Sequence, residues 1–499
     1  MKHVAYERAD HAPLPPMTLH DMVQDPFESL QILKAIRNVC QVSSAYLDCG
    51  NLKDLYSSKA EMQSKSADAP AEKIPQQGAE PADLAKSREA LIADAEKNIK
   101  DPAELKKFKD NLQTLEARAK KDGITGDQLA QMYSQVDRLF TTNNPSGASP
   151  EQRVVLAEQI MGQAANPKNV RQGNSQTCGD ACAEAAAYTQ HPEAAAKLVT
   201  DVALTGQYTA PDGSVIKVSN KPYRQSHNAD GTVKHEPGPD ERSYASQLFQ
   251  VTAENIALRS RVPKLAHPSY YEDEQGEHAY ETKNGVKKKI EVDLDVPSVA
   301  AAYKSITGSD MTVIDQEPTP VEGSLTGNTP VVQSEADLGQ VLANAKLPAM
   351  ILISPDNAPL NAPGYDSTGT YADKTDFGHY VLVTGYQAGP PPKIEIYNTQ
   401  GKSFPFGSGG EISLHDLYLA TLSRPDEIKA LQADLAADKK SGTKETWKEV
   451  ALIRLEMEEG IITFAEAKRE LDQIDPQLKK KIIWPVKAKG YSGMVSVPH

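Results

Sequence analysis

Apolar residues recur at three- and four-residue spacing through most of the first two hundred positions; beyond about residue 205, alternating and short continuous apolar stretches appear among them. The helical spacing predicts elements over 25–58, 81–99, 102–121, 125–140 and 150–163, with Asp101 as an N-cap and Pro102 at the first helical position. Their stripes are Ala- and Leu-rich and not strict heptads, so a loose bundle or hairpin is expected in place of a long coiled coil. Residues 1–23 read as a flexible lead, and 59–82, rich in Ala, Ser, Lys, Glu, Gln and Pro, as a linker. An Ala-rich helix is predicted from Cys178 to 189 and another over 192–204. Asp212-Gly213 between alternating segments predicts a hairpin, 220–240 is polar loop, and 243–262 has strong helical periodicity. Residues 263–295 read as an insertion with an Asn284-Gly285 turn between two short strands. A helix over 296–307 and a Pro/Thr/Gly-rich connector follow. Next comes a short helix over 334–345, with Ser334 as N-cap, that feeds the buried-type strand LPAMILISP. HYVLVTGY and KIEIYN flank a Gly-Pro-Pro-Pro turn and are expected to pair antiparallel. Beyond 425 the pattern returns to three amphipathic helices, the last with Thr463 as N-cap and Glu466 closing a capping box. Residues 458–471 loosely resemble short bacterial oligomerisation helices, but a packed tail helix is the plainer reading.

Composition narrows the function classes. A chain of 499 residues has room for two to four domains and a sizeable core. Its formal charge of -14 argues against nucleic acid as the principal partner, since phosphate binding needs clustered Lys and Arg. The basic runs Lys287 to Lys289 and Lys479 to Lys481 read as solvated faces. Hydrophobic residues make up 39% of the chain and mean hydropathy is -0.52, and no run of about eighteen apolar residues is present, so no membrane span is expected. The N-terminus lacks the apolar segment of a secretory signal. The expected location is therefore the cytoplasm of the producing cell, and export would require a machine that reads no such signal. Four cysteines are too few for a disulfide framework. Cys40 and Cys49 read as buried thiols, with a disulfide as the alternative outside the cytosol.

The chemistry gathers in two stretches. In RQGNSQTCGDAC a polar loop turns into the Ala-rich helix at Cys178, so the thiol stands at a helix N-terminus. Unpaired N–H groups and the helix dipole favour thiolate there, which makes Cys178 a candidate low-pKa nucleophile. Gln172, six residues upstream, can donate to a developing oxyanion. His379 begins one strand of the later hairpin and Asn398 ends the other, which brings them side by side. Asn398 can then hold one imidazole nitrogen while the other faces the thiol, the logic of nucleophile, base and orienter. Plainer readings exist for each: a buried helix-start thiol, a strand-end histidine satisfied by backbone, and turn chemistry at Asn398. Cys178 and Cys182 lie one turn apart and invite a zinc reading with His379, His415 or Asp416. No second paired motif accompanies them, so neither metal nor cofactor is expected. Cys182 reads as a packed core thiol and Asp180 as support for the helix dipole.

Gln172, Cys178-Gly179-Asp180-Ala181 and His379-Tyr380-Val381, in this order, resemble the papain-like cysteine peptidase superfamily. The nearest branch is the bacterial one typified by peptidases that process double-glycine leader peptides. There a Gln lies six residues before the nucleophile, the Cys is followed by Gly-x-Ala, and a His-Tyr-Val strand carries the base; the 334–354 helix and strand also match. Two departures stand out: Asn398-Thr399 replaces the branch's usual Asp-Pro, although papain itself uses Asn, and about 200 residues separate Cys178 from His379.

The resemblance implies an α+β papain-like domain, its helical part bearing the Cys and its antiparallel sheet the His. The expected organisation is a helical N-terminal region over 1–164, a catalytic domain over 165–425 with an insertion near 205–295, and a helical C-terminal region over 426–499. The implied activity is that of a cysteine peptidase or amidase forming an acyl-enzyme on a protein or peptide substrate. The helical front and the absence of a leader resemble bacterial effector or toxin-type hydrolases, which carry cognate inhibitors or secretion partners. Two other readings stay open: transglutamination or deamidation by the same triad, and a papain fold kept as a non-catalytic interaction platform.

Overall fold

Local capping sets the first part of the fold. In this computed structural model the described residues are 82–474, apart from 144–146, 224–225, 262–264, 266, 291–293, 295, 315–331, 355–356, 358–377, 402–408 and 443–445. The expected lead, the 25–58 helix with Cys40 and Cys49, nearly all of the 59–82 linker, most of the 308–333 connector and the Lys479 to Lys481 run lie outside the described residues. Helix α1 (Ala82–Asn98) is followed by α2 (Pro102–Asp122), where Asp101 accepts from the Ala103 and Glu104 N–H groups at 2.7 and 3.4 Å. That helix stops at Gly123, whose φ of 74° is a conformation glycine adopts without strain. Helices α3 (Gly126–Thr141) and α4 (Pro150–Ala165) each open with a full capping box, Thr125 with Gln128 and Ser149 with Gln152. On α3 the face Leu129, Met132, Tyr133, Val136 and Leu139 is buried, as its spacing requires.

Beyond them the chain is an α+β assembly with small separate sheets, and thirteen helices lie among the described residues. Helices α5 (Cys178–Gln190) and α6 (Pro192–Thr205) lead into a hairpin of β1 (Gln207–Thr209) and β2 (Val215–Lys217), with Gly213 at φ 82° in the turn. Helix α7 (Tyr244–Ser260) follows, then a meander of β3 (Ser269–Asp273), β4 (Gly276–Lys283) and β5 (Val286–Lys289). Asn284 and Gly285 both take positive φ between β4 and β5, the geometry an Asn-Gly hairpin turn demands. The third strand of this sheet was not expected. Helix α8 (Val296–Thr307) precedes the central sheet of β6 (Val313–Ile314), β7 (Ala349–Ile353), β8 (His379–Gln387), β9 (Lys393–Tyr397) and β10 (Gly409–Ser413). Helix α9 (Glu335–Asn344) connects β6 to β7, and Ser334 caps it by accepting from the Asp337 N–H at 3.1 Å. The order is β10-β9-β8-β7-β6, antiparallel except for the β6–β7 pair. The β8–β9 hairpin is as expected; β6 is only two residues long, and β10 opens on two glycines that carry no apolar pattern.

Both faces of this sheet are covered, which is why β8 reads as a continuous apolar run. Tyr380, Leu382 and Tyr397 join one large core that extends through α5, α7 and α8 to α1. Val381, Val383, Ile394 and Ile396 pack on the other side with Leu338 and Leu342 of α9 and with Leu414 and Leu417 of α10 (Leu414–Thr421). Helices α11 (Arg424–Ser441), α12 (Thr446–Glu458) and α13 (Phe464–Ile474) complete the described chain. The Thr463 and Glu466 capping box forms as predicted. No helix of the described residues is long and apolar enough to cross a membrane.

The segment expected as an insertion is structurally central, because its helix α7 packs directly on α5. Between α7 and β3, Arg242 and Glu272 form a two-pronged ion pair with side chains only 3% and 1% exposed. Removing one partner strands the other charge in a dry site. Glu272→Ala is therefore expected to cost about 3–5 kcal/mol of stability, read as a lower urea midpoint at unchanged slope. A loss below about 1 kcal/mol, the range of exposed pairs, would contradict that.

Candidate active site

Helix α5 begins at Cys178 because the polar loop ahead of it is held at the two residues that precede the turn. Thr177 donates to Gln250 Oε1 of α7 at 2.7 Å, and the Gln176 N–H donates to Glu277 of β4 at 2.9 Å. Gln250 Nε2 in turn donates to the Arg171 carbonyl at 3.0 Å and to Glu184 at 2.8 Å. Thr177 thus spends its hydroxyl on α7 and offers no cap to α5. Gly179 lets the helix start approach its neighbours: a Cβ there would lie 2.8 Å from Val299 Cγ2 of α8 and 3.3 Å from Tyr380 Cδ2. Close approach puts the Cys178 sulfur against the Tyr380 N–H, one residue along β8 from His379. Cys182, a turn further on, is fully buried and donates to the Tyr380 carbonyl at 3.4 Å, a packed thiol as its sequence context suggested.

The hairpin brings the other two predicted residues together. Continuing the β8–β9 register places Asn398 diagonally across from His379, and His379 Nε2 lies 2.8 Å from Asn398 Oδ1. The same Oδ1 accepts from the Gln400 backbone N–H at 3.0 Å, which identifies that atom as the amide oxygen. Nε2 must therefore carry the proton in this bond, and in the neutral ring Nδ1 keeps its lone pair. Gln172 is fastened to the neighbouring residue: its N–H donates to the Thr399 carbonyl at 3.0 Å and its Oε1 accepts from the Thr399 hydroxyl at 3.0 Å. Its Nε2 donates one hydrogen to the Ser175 carbonyl at 3.0 Å, and an amide nitrogen has a second. One step back, Arg171 donates to the Tyr397 hydroxyl, which donates to the Val170 carbonyl. Loop 170–177 and the end of β9 are thereby joined into one body. No protein-family model, curated protein or solved structure matches the chain.

The electrostatics differ from the expected thiolate. Burial, with a further push from Glu254, raises the Cys178 thiol above its usual range despite N–H groups of Tyr380, Gly179 and Cys178 itself pulling the other way. Burial also lowers His379 to about 4, against the opposing hydrogen bond to Asn398. Near pH 7 the site therefore rests as neutral thiol and neutral imidazole. Asp180 does lie in the first turn of α5, but away from solvent. It is fully buried beside Glu254 of α7, burial lifts it to about 7, and Glu254 is pushed well above the carboxylate range. Neither carboxylate has a hydrogen-bond partner elsewhere among the described residues, and burial beside each other favours the protonated form of both. Glu184, buried under Ser246 and Gln250, is lifted to about 8. Sequence reasoning missed this acid cluster; the available signal was the run of polar side chains on both faces of the 243–262 helix. Of the residues weighed for zinc with the cysteines, His415 is held between Glu335 and Asp434 at 2.8 and 2.7 Å.

Two outcomes follow. Alkylation of Cys178 by iodoacetamide in the resting protein should still be accelerating with pH above about 8.5, whereas a plateau reached by pH 6 would mean a pre-formed thiolate. An acid whose pKa is raised by folding holds a proton that the unfolded chain has released, so it loses stabilising effect as pH climbs to its folded value. Asp180 and Glu184 do this up to about 7 and about 8, while His379, lowered from 6.5, acts oppositely only below 6.5. Asp180→Asn should consequently flatten the fall in melting temperature between pH 6.5 and 7 relative to wild type. Parallel profiles would mean that Asp180 does not hold its proton up to about 7.

Proposed function

We propose that the chain is a thiol-dependent hydrolase with a papain-like catalytic arrangement, acting on a peptide, isopeptide or side-chain amide. The observation that carries this reading is the Asn398-held His379, whose Nε2 is committed and whose neutral ring keeps its lone pair on Nδ1, at the point where the Cys178 helix start meets the same strand. Because thiol and imidazole both rest neutral, the Cys178 sulfur attacks the carbonyl carbon as its proton passes to His379 Nδ1. Apo sites commonly tighten this contact only around the substrate. The oxyanion is met by the second N–H of Gln172 Nε2 and by the Cys178 backbone N–H. Collapse breaks the C–N bond, and the imidazolium returns its proton to the leaving amine. Water, deprotonated by the same ring, then releases the acid from the thioester and restores the thiol. Asn398 keeps the ring in the productive tautomer throughout.

The full chain mixed with p-nitrophenyl acetate should show a burst of nitrophenolate and a single acetyl group on Cys178 by intact-mass and peptide analysis. His379→Ala should slow that acylation by about 10²–10⁴-fold, the usual worth of a positioned base. Acylation of Cys178 at the same rate with and without His379 would remove the hydrolase reading and leave the fold as an interaction platform.

A further inference from the structure

A cavity of about 270 Å³ opens between α2, α4 and the loop that leads into α7. Among its walls are Glu104 of α2, Glu158 of α4 and His235 of the loop, and one ligand atom from each lies within 4.8 Å of the others. Glu158 is the informative member. Its side chain is 8% exposed, its Oε2 is 2.7 Å from His235 Nδ1, and its Oε1 is buried without a hydrogen-bond partner among the described residues. A dry carboxylate oxygen with nothing to bind is costly unless a donor or cation completes it. The nearby ammonium groups are engaged elsewhere, Lys107 with Glu236 and Lys234 with Glu241. What remains is two carboxylates and one imidazole around a shared space, a set whose charge and donor atoms suit a divalent ion.

We propose that Glu104, Glu158 and His235 bind a first-row divalent cation, zinc by preference, with water from the cavity as the remaining ligand. One nitrogen and two carboxylate donors match the borderline character of zinc, while calcium and magnesium call for six or more oxygens. At metal–ligand distances of about 2.0–2.2 Å, two donors on a tetrahedral zinc stand about 3.4 Å apart, so the ion enters by widening the 2.7 Å His235–Glu158 pair by less than about 1 Å and by closing Glu104, whose ligand atom lies within 4.8 Å of both, onto the same centre. The ring then binds through Nδ1 and keeps its proton on Nε2. Bound metal would fasten the 226–243 loop to the helical front, and that loop already holds Arg171, beside Gln172, through the Pro239 carbonyl at 2.9 Å. The proposal stands independently of the hydrolase reading.

The test is equilibrium dialysis of the chelator-stripped full chain against zinc chloride, with metal counted by mass spectrometry, in wild type, His235→Ala, Glu158→Gln and Cys178→Ser. The His235 side chain is about half exposed, so its replacement leaves the core intact. One zinc per chain is expected in wild type and Cys178→Ser. His235→Ala and Glu158→Gln should weaken it by at least the roughly 10–100-fold that loss of a mere supporting group costs. Zinc, and not equimolar magnesium, should raise the melting temperature of wild type but not of His235→Ala. Absence of zinc from wild type, its retention in His235→Ala, or its loss only in Cys178→Ser would each overturn the assignment.

Discussion

The closest approach in the molecule that matters to its chemistry is the seat of Gly179 against Val299 and Tyr380, where even a methyl group would meet a β-branched side chain at 2.8 Å. That contact drives the first turn of α5 onto β8 and α8, and much else is a consequence. It sets the Cys178 sulfur beside the strand that begins with His379. It also carries Asp180 into the core, where no water can solvate its charge. The polar loop 170–177 has to be pinned from both sides for the helix to start there, and α7, β4 and the end of β9 supply the pins.

Burial acts on this site in two opposed ways. It makes the arrangement rigid, since each dry hydrogen bond that Gln250 or Thr399 donates and that Asn398 accepts lacks competition from water. The same dryness disfavours every charged form, so the thiol rises, the imidazole falls to about 4 and the carboxylates beneath keep their protons. A helix N-terminus is an argument for thiolate only where solvent or a cation can share the stabilisation. In this chain, a neutral thiol and a neutral imidazole are the resting forms that the surroundings favour.

The region between the two chemical stretches changes meaning in the folded chain. Read along the sequence it interrupts a compact catalytic unit. In space its helix α7 provides the floor of the Cys178 turn, its meander holds Gln176, and its loop closes the cavity with Glu104 and Glu158. The helical front and the thiol site are thus parts of one continuous core, with Leu84 and Tyr397 in the same apolar cluster.

Features that depend on neighbours in the chain were legible beforehand. Asp101, Thr463 and Ser334 cap the helices they precede, Asn284-Gly285 turns its hairpin, and the apolar runs around Gly-Pro-Pro-Pro pair, because each rests on local backbone chemistry or on a short-range period. The placement of Gln172, Cys178, His379 and Asn398 within one region could be inferred for the same reason: two local motifs each carry half of it. The protonation state could not, because it depends on Glu254 and on burial by elements far away in the chain. Nor could the cavity cluster, whose Glu104, Glu158 and His235 come from three separate elements with no spacing rule between them. The sequence by itself determined most of the elements, many of their ends, and the candidate thiol and imidazole that they carry. Tertiary structure alone decided which charges survive, since desolvation is a property of what packs around a side chain and is written at no single position.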